Sequence, residues 1–336
     1  MRIVLAMLLA AGVSMSDAGV IQLTAPGAER QTLALHCVEP VEATSEAVLF
    51  IHGASFPTML AAGFEFDGKD SWLDFMANRG FLACGLDFLG FGGSSRPAAM
   101  AIDPTGAAPL VEATDAAPQI SVAADYLLKT RDIKRLHIVA HSWGTMPAGL
   151  YAATHPATLR SVTLFGPVVP IPGSQVKSTE FSWWSISARE RSEQLRYTEA
   201  LPQSLHLLEP AVERKWALEF AASGSDGKSK HVDDPLRIPA GPVADFSAAM
   251  ADHYPYLPAD VRIPVFVVYG SYDTVVNDAG AEAFLSRFTG SPLKWRLRID
   301  HGTHVMHLER NRQSLYQSVL AFIAAVDEKS DSAPRR

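Results

Sequence analysis

The stretch Arg135-Leu-His-Ile-Val-Ala-His-Ser142-Trp-Gly144-Thr145 is the strongest single indication of the fold. Its apolar run leads directly into a serine held between small residues, and a helix-like run, 146–153, follows at once. A strand that turns sharply into a helix strains the turn residue, which only small neighbours permit, and lifts its hydroxyl above the sheet edge. Ala140 and Gly144 fill the two glycine positions of G-x-S-x-G. The pattern predicts a nucleophile elbow at Ser142, and an ordinary strand-loop-helix junction is the alternative.

Composition restricts the class of protein. The chain has 336 residues, of which 48% are hydrophobic, enough for one large α/β core that carries an insertion. Lys and Arg number 29 against 36 Asp and Glu, a net charge of −7, and the charges are scattered without a basic block. We therefore expect no nucleic-acid partner and no stable membrane insertion, and composition leaves the oligomeric state open.

The N-terminus and the cysteines bear on localisation. Residues 1–18 contain an apolar run of signal-peptide length, which predicts a periplasmic or secreted protein. The alternative is a cytoplasmic protein whose translation starts at Met15. Cys37 and Cys84 fall inside predicted strands, and we expect them to be buried small hydrophobes rather than a disulfide. Residues 328–336 are polar and predicted to form a flexible tail.

Short apolar runs bounded by Gly, Pro and Asp alternate with helical stretches. This predicts an α/β fold with a mostly parallel twisted sheet of about eight strands and helices on both faces. The first two strands alternate apolar and polar residues and should form an antiparallel edge. The predicted strands are 20–24, 32–38, 47–51, 81–86, 136–140, 162–165, 265–269 and 294–299, and the predicted helices outside the insertion are 71–78, 120–129, 145–154, 279–288 and 312–326.

Two segments interrupt this alternation. Residues 96–118 are rich in Ala and Pro and are predicted to form a long surface loop. Residues 171–258 are far longer than a connection between core strands needs, and they contain aromatic residues and two helical stretches, 188–198 and 211–222. We predict a helical cap over the carboxyl ends of the strands, between core segments 19–170 and 259–327, with residues 224–227 as a mobile point. A purely structural insertion is the alternative.

A serine hydroxyl is a poor nucleophile, so Ser142 needs a base within hydrogen-bond reach and a third group that orients the base. Asp273 comes just after one predicted strand, and His304 follows the next strand. The order Ser, Asp, His is the one typical of this architecture. His301 and His307 compete for the role of base. For the acid, the competitors are Asp87, Asp300 and Asp278.

The chain resembles the α/β-hydrolase fold family, in its serine-nucleophile branch with a cap domain, over roughly residues 47–326. The resemblance is carried by Ser142 in its elbow together with His52-Gly53, the run Asp87 to Ser94, Gly270-x-x-Asp273 and Gly302-x-His304. It implies that Ser142, Asp273 and His304 form a catalytic triad. It also implies an oxyanion hole made by the backbone N–H groups of Trp143 and Ala54, with Ser55 and Phe56 as alternatives to Ala54.

The resemblance implies a hydrolase that cleaves a carboxylic ester, or a related acyl bond, of a small and largely apolar substrate through an acyl-enzyme. Amidase, lactonase, C–C bond hydrolase and acyltransferase activities use the same residues, and a ligand-binding protein that does not hydrolyse is an alternative of another class. Ser142 stands where dehalogenases and epoxide hydrolases carry aspartate, which disfavours their chemistry.

We expect an apolar substrate pocket, although the same side chains could be core residues, and the candidates are Phe56, Trp143, Met146, Phe181, Trp183 and Trp184. No cofactor is expected. We expect no metal either, because Gly302 interrupts any helix that would align His301, His304 and His307.

Overall fold

The structure is a computed structural model that describes residues 19–224 and 231–331. The predicted signal peptide, the alternative start at Met15 and residues 332–336 of the predicted tail lie outside the described residues. So do residues 225–227 of the predicted mobile point. Within the two described ranges, no helix combines the length and the apolar character needed to cross a membrane.

An eight-stranded sheet forms the centre of the molecule and confirms the predicted fold class. The strands in chain order are β1 (Val20–Ala25), β2 (Ala28–Val38), β3 (Glu46–Ile51), β4 (Leu82–Leu86), β5 (Arg135–His141), β6 (Ser161–Phe165), β7 (Trp183–Ser187), β8 (Pro235–Pro239), β9 (Val265–Gly270) and β10 (Lys294–Ile299). The sheet order is β1-β2-β4-β3-β5-β6-β9-β10, and β7 pairs with β8 apart from it. β2 is antiparallel to both of its neighbours, and every other pairing in the large sheet is parallel.

Helices cover both faces of the sheet. They are α1 (Trp72–Ala77), α2 (Ala113–Asp125), α3 (Thr145–Thr154), α4 (Ala188–Leu195), α5 (Pro210–Ala222), α6 (Gly241–Met250), α7 (Asp278–Ser286) and α8 (Arg312–Asp331). One apolar cluster contains Leu49 and Ile51 of β3 with residues of α2 and α3, and a second contains Val48 and Phe50 of the same strand with residues of α1 and α8. Alternate residues of β3 therefore bury both faces of the sheet.

Helix boundaries differ most from the prediction at two places. The segment 96–118 was predicted to be a loop throughout, and this is wrong at its end, because α2 begins at Ala113 and contains Pro118. Glu112 and Asp115 form a capping box that starts the helix, and Pro118, its sixth residue, removes one intrahelical hydrogen bond. At the other end of the chain, α8 continues to Asp331, so the first four residues of the predicted tail are helical.

A disulfide joins Cys37 and Cys84, and the expectation of two unpaired cysteines was wrong. The two residues lie directly opposite each other in the antiparallel register of β2 and β4, and their Cα atoms are 4.1 Å apart. The sequence placed each cysteine in a strand correctly. It could not show that these two strands are neighbours, because 47 positions separate the cysteines along the chain.

The insertion, residues 171–258, contains both predicted helical stretches, as α4 and α5, and also two elements that the sequence did not indicate. These are the antiparallel β7–β8 pair and α6. The indole Nε1 of Trp216 in α5 donates to the carbonyl oxygen of Leu60 at 2.9 Å, which attaches the insertion to the loop after β3. The role of this segment as a cap stays a prediction.

Candidate active site

Four turns at the carboxyl ends of parallel strands meet at one edge of the sheet. They follow β3, β5, β9 and β10 and carry Gly53, Ser142, Asp273 and His304. Parallel strands bring their carboxyl ends to the same edge, where open α/β sheets bind ligands. These turns bring the side chains of Ser142, Asp273 and His304 next to one another.

Ser142 adopts the strained conformation expected of an elbow. Its φ is +55°, in the left-handed region that non-glycine residues rarely adopt, and it directly precedes α3 through a single 3₁₀ turn, Ser142–Gly144. A side chain at Gly144 would place its Cβ 2.3 Å from the carbonyl oxygen of His52, so only glycine fits there. Ala140 is fully buried in β5. The elbow needs smallness at these two positions, and the chain supplies it.

A continuous hydrogen-bond chain runs from Ser142 to Asp273. The Ser142 Oγ lies 2.7 Å from Nε2 of His304, and the His304 Nδ1 lies 3.0 Å from each carboxylate oxygen of Asp273. An N–H at Nδ1 donates to the carboxylate, which leaves Nε2 as the acceptor for the serine hydroxyl. The backbone N–H of Val275 donates to the Asp273 Oδ1 at 2.8 Å and orients the carboxylate. Ser142, His304 and Asp273 are thus joined by direct hydrogen bonds.

The competing acids from the sequence lie elsewhere. Asp87 accepts hydrogen bonds from the backbone N–H groups of Thr58 and Gly93 and lies 2.8 Å from His36 Nε2. Burial raises its pKa, but His36, the charge of His52 and the N–H of Gly93 together hold it well below the ordinary value. Asp87 therefore fixes the turn after β4. Asp278 accepts from the hydroxyl of Tyr269, and Asp300 is exposed.

The competing bases are also separated from Ser142. His301 is exposed. His307 is buried, its ring stacks on Phe56 at a centroid distance of 6.2 Å, and burial lowers its pKa to about 3. His307 is therefore a neutral ring in the wall of the site. Of the three histidines, the structure brings only His304 into hydrogen-bond contact with Ser142.

Two buried side chains, those of Glu309 and His141, hold the loop around His304. The backbone N–H and the hydroxyl of Thr303 both donate to the carboxyl group of Glu309. The Nε2 of His141 donates to the carbonyl oxygen of His304 at 2.8 Å. Burial raises the pKa of Glu309 to about 7 and lowers that of His141 well below its ordinary value. Near neutral pH, His141 is an uncharged tether between the serine strand and the histidine loop.

A glycine makes room for the Asp273–His304 pair. Gly166 follows β6 with a φ of +57°, and a Cβ there would lie 2.9 Å from Nδ1 of His304 and 3.1 Å from a carboxylate oxygen of Asp273. Any side chain at this position would push the pair apart. The sequence signal was a glycine directly after a predicted strand, which is too common to single out by itself.

The loop after β3 lies against the serine. A Cβ on Gly53 would be 3.2 Å from the Cβ of Ser142, so the backbone of Gly53 and Ala54 passes beside Ser142. His52 braces this loop, with Nδ1 2.8 Å from the Gly53 carbonyl oxygen and Nε2 accepting from the N–H of Phe88. Trp143 lies at the start of the turn into α3, where backbone N–H groups point outward.

The predicted pocket residues divide into two groups. Phe56, Trp143 and Met146 are buried next to the serine turn. Phe181 and Trp183 instead contact the segment before α2: Phe181 forms a β-bridge with Thr105, and the indole of Trp183 donates to the carbonyl oxygen of Ile102.

Trp184, the remaining predicted pocket residue, is partly buried against the larger apolar cluster. No group of three His, Cys, Asp or Glu residues within the two described ranges could hold a metal ion.

The insertion is attached to the elbow by Asp245 in α6, a residue that the sequence did not indicate. Its Oδ2 accepts hydrogen bonds at 2.7 Å from the indole Nε1 of Trp143 and from the backbone N–H of Ala113. Burial raises the pKa of Asp245 to about 6. One carboxylate therefore ties α6, α2 and the residue after Ser142 together.

Comparison with known proteins agrees with this architecture. Residues 46–311 match the family model described as alpha/beta hydrolase fold, and the chain belongs to that family. No curated protein matches the chain significantly.

Solved structures share the fold at low sequence identity. A hydrolase from Pseudomonas aeruginosa PA01 is 18% identical with a TM-score of 0.61, and the alignment covers 92% of this chain and 99% of the other. An esterase from Exiguobacterium antarcticum is 16% identical with a TM-score of 0.59, covering 90% and 98%. A thermophilic esterase from Thermogutta terrifontis is 17% identical with a TM-score of 0.56, covering 92% and 99%. At these identities the likeness concerns the fold alone.

Proposed function

We propose that the protein is a serine hydrolase that cleaves carboxylic esters of small, largely apolar substrates through an acyl-enzyme. The observation that carries the proposal is the hydrogen-bond chain Ser142–His304–Asp273, with 2.7 Å between Ser142 Oγ and His304 Nε2. Membership of the α/β hydrolase fold family supports the same class of chemistry. The esterase activity named for two of the structural neighbours is compatible with it.

In the first half of the reaction, His304 Nε2 takes the hydroxyl proton of Ser142 while Oγ attacks the ester carbonyl carbon. The tetrahedral intermediate carries a negative oxygen, which the backbone N–H groups of Trp143 and Ala54 stabilise. The intermediate collapses, the C–O bond to the alcohol breaks, and the imidazolium returns the proton to the leaving alkoxide. Asp273 stabilises the imidazolium and fixes its tautomer.

The second half repeats these steps with water. His304 removes a proton from water, the hydroxide attacks the acyl carbon, and the Ser142 Oγ leaves and regains a proton. The products are a carboxylic acid and an alcohol. Ser142 and His304 are 4% and 5% exposed, so the surrounding side chains shield the charged intermediate from bulk water.

The test is hydrolysis of para-nitrophenyl esters of increasing acyl length by wild type and by Ser142→Ala. We expect wild type to turn over the short and medium esters. In Ser142→Ala we expect kcat to fall by roughly 10⁴- to 10⁶-fold, because the nucleophile acts as a unit with its base. The mechanism is wrong if the purified alanine variant hydrolyses these esters at the wild-type rate.

A further inference from the structure

Arg191 in α4 reaches from the insertion to the loop that holds the proposed oxyanion residue. Its Nε donates to the Oγ of Ser55 at 2.9 Å, and its guanidinium carbon lies 5.7 Å from the centre of the Phe56 ring. Ser55 directly follows Ala54 in the chain. The positive charge is therefore held at the side of the site where the ester carbonyl would bind.

The guanidinium has neutral partners only. Besides Ser55, it donates from Nη1 to the amide oxygen of Gln194 at 2.8 Å, and within residues 19–224 and 231–331 it forms no ion pair. The other two arginines of α4 and its C-cap differ, since Arg189 pairs with Asp233 and Arg196 pairs with Glu213. A partly buried cation without an anion is costly, so an unpaired one calls for an explanation.

No carboxylate of the described residues is among the groups that influence the pKa of Arg191. Burial lowers its pKa, and the nearby phenol of Tyr197 opposes that shift; the side chain stays a cation at neutral pH. Burial is the main cause of the lowered pKa of His141, and the charge of Arg191 adds to it. Tyr197 follows α4 and its ring lies 6.4 Å from the ring of His304. The segment that contains α4 and Tyr197 thus places the Arg191 guanidinium at the loop after β3 and the Tyr197 ring near His304.

We propose that Arg191 binds a carboxylate carried by the substrate, so that the preferred substrates are apolar esters that bear one free carboxylate. This inference rests on the proposed ester hydrolysis and names its substrate class. A planar guanidinium forms charge-assisted hydrogen bonds to a carboxylate with two parallel N–H groups, whereas an amide isostere offers one neutral acceptor. The bonds from Nε to Ser55 and from one N–H of Nη1 to Gln194 orient the guanidinium, and they leave the other N–H of Nη1 and both N–H groups of Nη2 for the ligand.

The experiment compares matched pairs of esters. One pair differs in the acyl chain: the para-nitrophenyl monoester of adipic acid against the same ester with a terminal carboxamide. The other pair differs in the leaving group: the acetate of para-hydroxybenzoate against that of para-hydroxybenzamide. The readout is the ratio of kcat/KM for the carboxylate to kcat/KM for the amide. We expect wild type to favour the carboxylate in one pair by roughly 10- to 100-fold, mainly through KM, and the pair that responds shows which half of the substrate Arg191 contacts.

Variants of Arg191 show whether this residue binds the substrate carboxylate or only stabilises the loop that contains Ser55. In Arg191→Gln we expect the ratio to fall to about one, and in Arg191→Lys we expect an intermediate ratio. The matched control is Arg189→Gln, which removes one charge from the exposed side of the same helix and should keep the wild-type ratio. Circular dichroism and thermal melting check that each variant is folded.

Two results would overturn the inference. One is a wild-type ratio near one in both pairs, and the other is a ratio that Arg191→Gln leaves unchanged. A failure of the proposed function is distinguishable, because then neither member of any pair is hydrolysed in a Ser142-dependent way. Calorimetric binding of adipate to Ser142→Ala, and to Ser142→Ala with Arg191→Gln, tests the carboxylate site without turnover: binding only by the first variant supports the inference, and equal or absent binding contradicts it.

Discussion

The core sheet and the insertion contribute to the candidate site in different ways. Ser142, Asp273 and His304 lie on turns that directly follow core strands, so the parallel register sets their positions. The insertion supplies Arg191 from α4 and Asp245 from α6, which reach the same place by side-chain contacts alone. Under the proposed mechanism the core supplies the reacting atoms, and the insertion adds Arg191 and Asp245 to their surroundings.

The largest effect is expected in the core, at Asp273. Asp273→Asn should lower kcat by about 10⁴-fold, since the amide favours the wrong tautomer of His304 while the geometry is kept. The measurement is steady-state ester hydrolysis. Asp300→Asn is the control, because Asp300 is exposed and should leave kcat within about twofold. If Asp273→Asn keeps the wild-type kcat while a folded Asp87→Asn is inactive, the acid that orients His304 is not Asp273 but the aspartate after β4.

The next largest effect is expected on stability, from removal of the disulfide between β2 and β4. Replacing Cys37 and Cys84 by serine should lower the free energy of unfolding by about 4 kcal/mol, because the bond closes a loop with a sequence separation of 47. Denaturant unfolding of the double variant measures the loss, and wild type with reductant should match it. Since β2 and β4 lie on the far side of β3 from the serine strand, the folded variant should keep its kcat. Equal stability of oxidised and reduced wild type would contradict the expectation.

Glu309 links stability to pH. Its folded pKa is about 7 against an ordinary value of 4.5, so between these pH values the folded protein binds a proton that the unfolded chain has lost. The free energy of unfolding should therefore fall as pH rises through this window, by up to about 3 kcal/mol. Glu309→Gln cannot ionise and should remove that fall. Urea unfolding of both proteins at pH 4.5 and pH 7 checks this, and parallel pH dependences would rule out the assignment.

The smallest effect is expected from Asp245, which tests the insertion. Asp245→Ala leaves the indole N–H of Trp143 and the N–H of Ala113 without their acceptor, at a cost of about 1–3 kcal/mol. Hydrogen exchange should become faster in α6 and at the start of α2. The backbone amides of β5 should stay as protected as in wild type. Faster exchange in β5 as well would show that the core strand depends on this contact with the insertion.

The sequence predicted the core well because its signals are local. The inner strands of the large sheet appear as short apolar runs, β1 and β2 appear as alternating patterns, and Ser142, Asp273 and His304 each follow a predicted strand. The apolar run before Ser142 also predicts the elbow, whose φ of +55° the structure shows. Periodicity and turn residues within a few positions are sufficient for such features.

The features that were missed depend on which elements become neighbours. The disulfide needs β2 beside β4, Asp245 needs α6 against the elbow, and Arg191 needs α4 against the loop after β3. None of these pairings leaves a local signal. β7 and β8 were missed for the same reason, since they pair across about 50 intervening positions of the insertion.

The central claim is that Ser142 attacks as a nucleophile under the control of His304. The most direct measurement is intact mass and peptide mapping after reaction with a fluorophosphonate probe, on wild type and on His304→Ala. We expect one covalent adduct on the peptide that contains Ser142 in wild type, and in His304→Ala we expect labelling at least about 100-fold slower because the imidazole base is absent. An adduct on another residue, or equally fast labelling of His304→Ala, would contradict it.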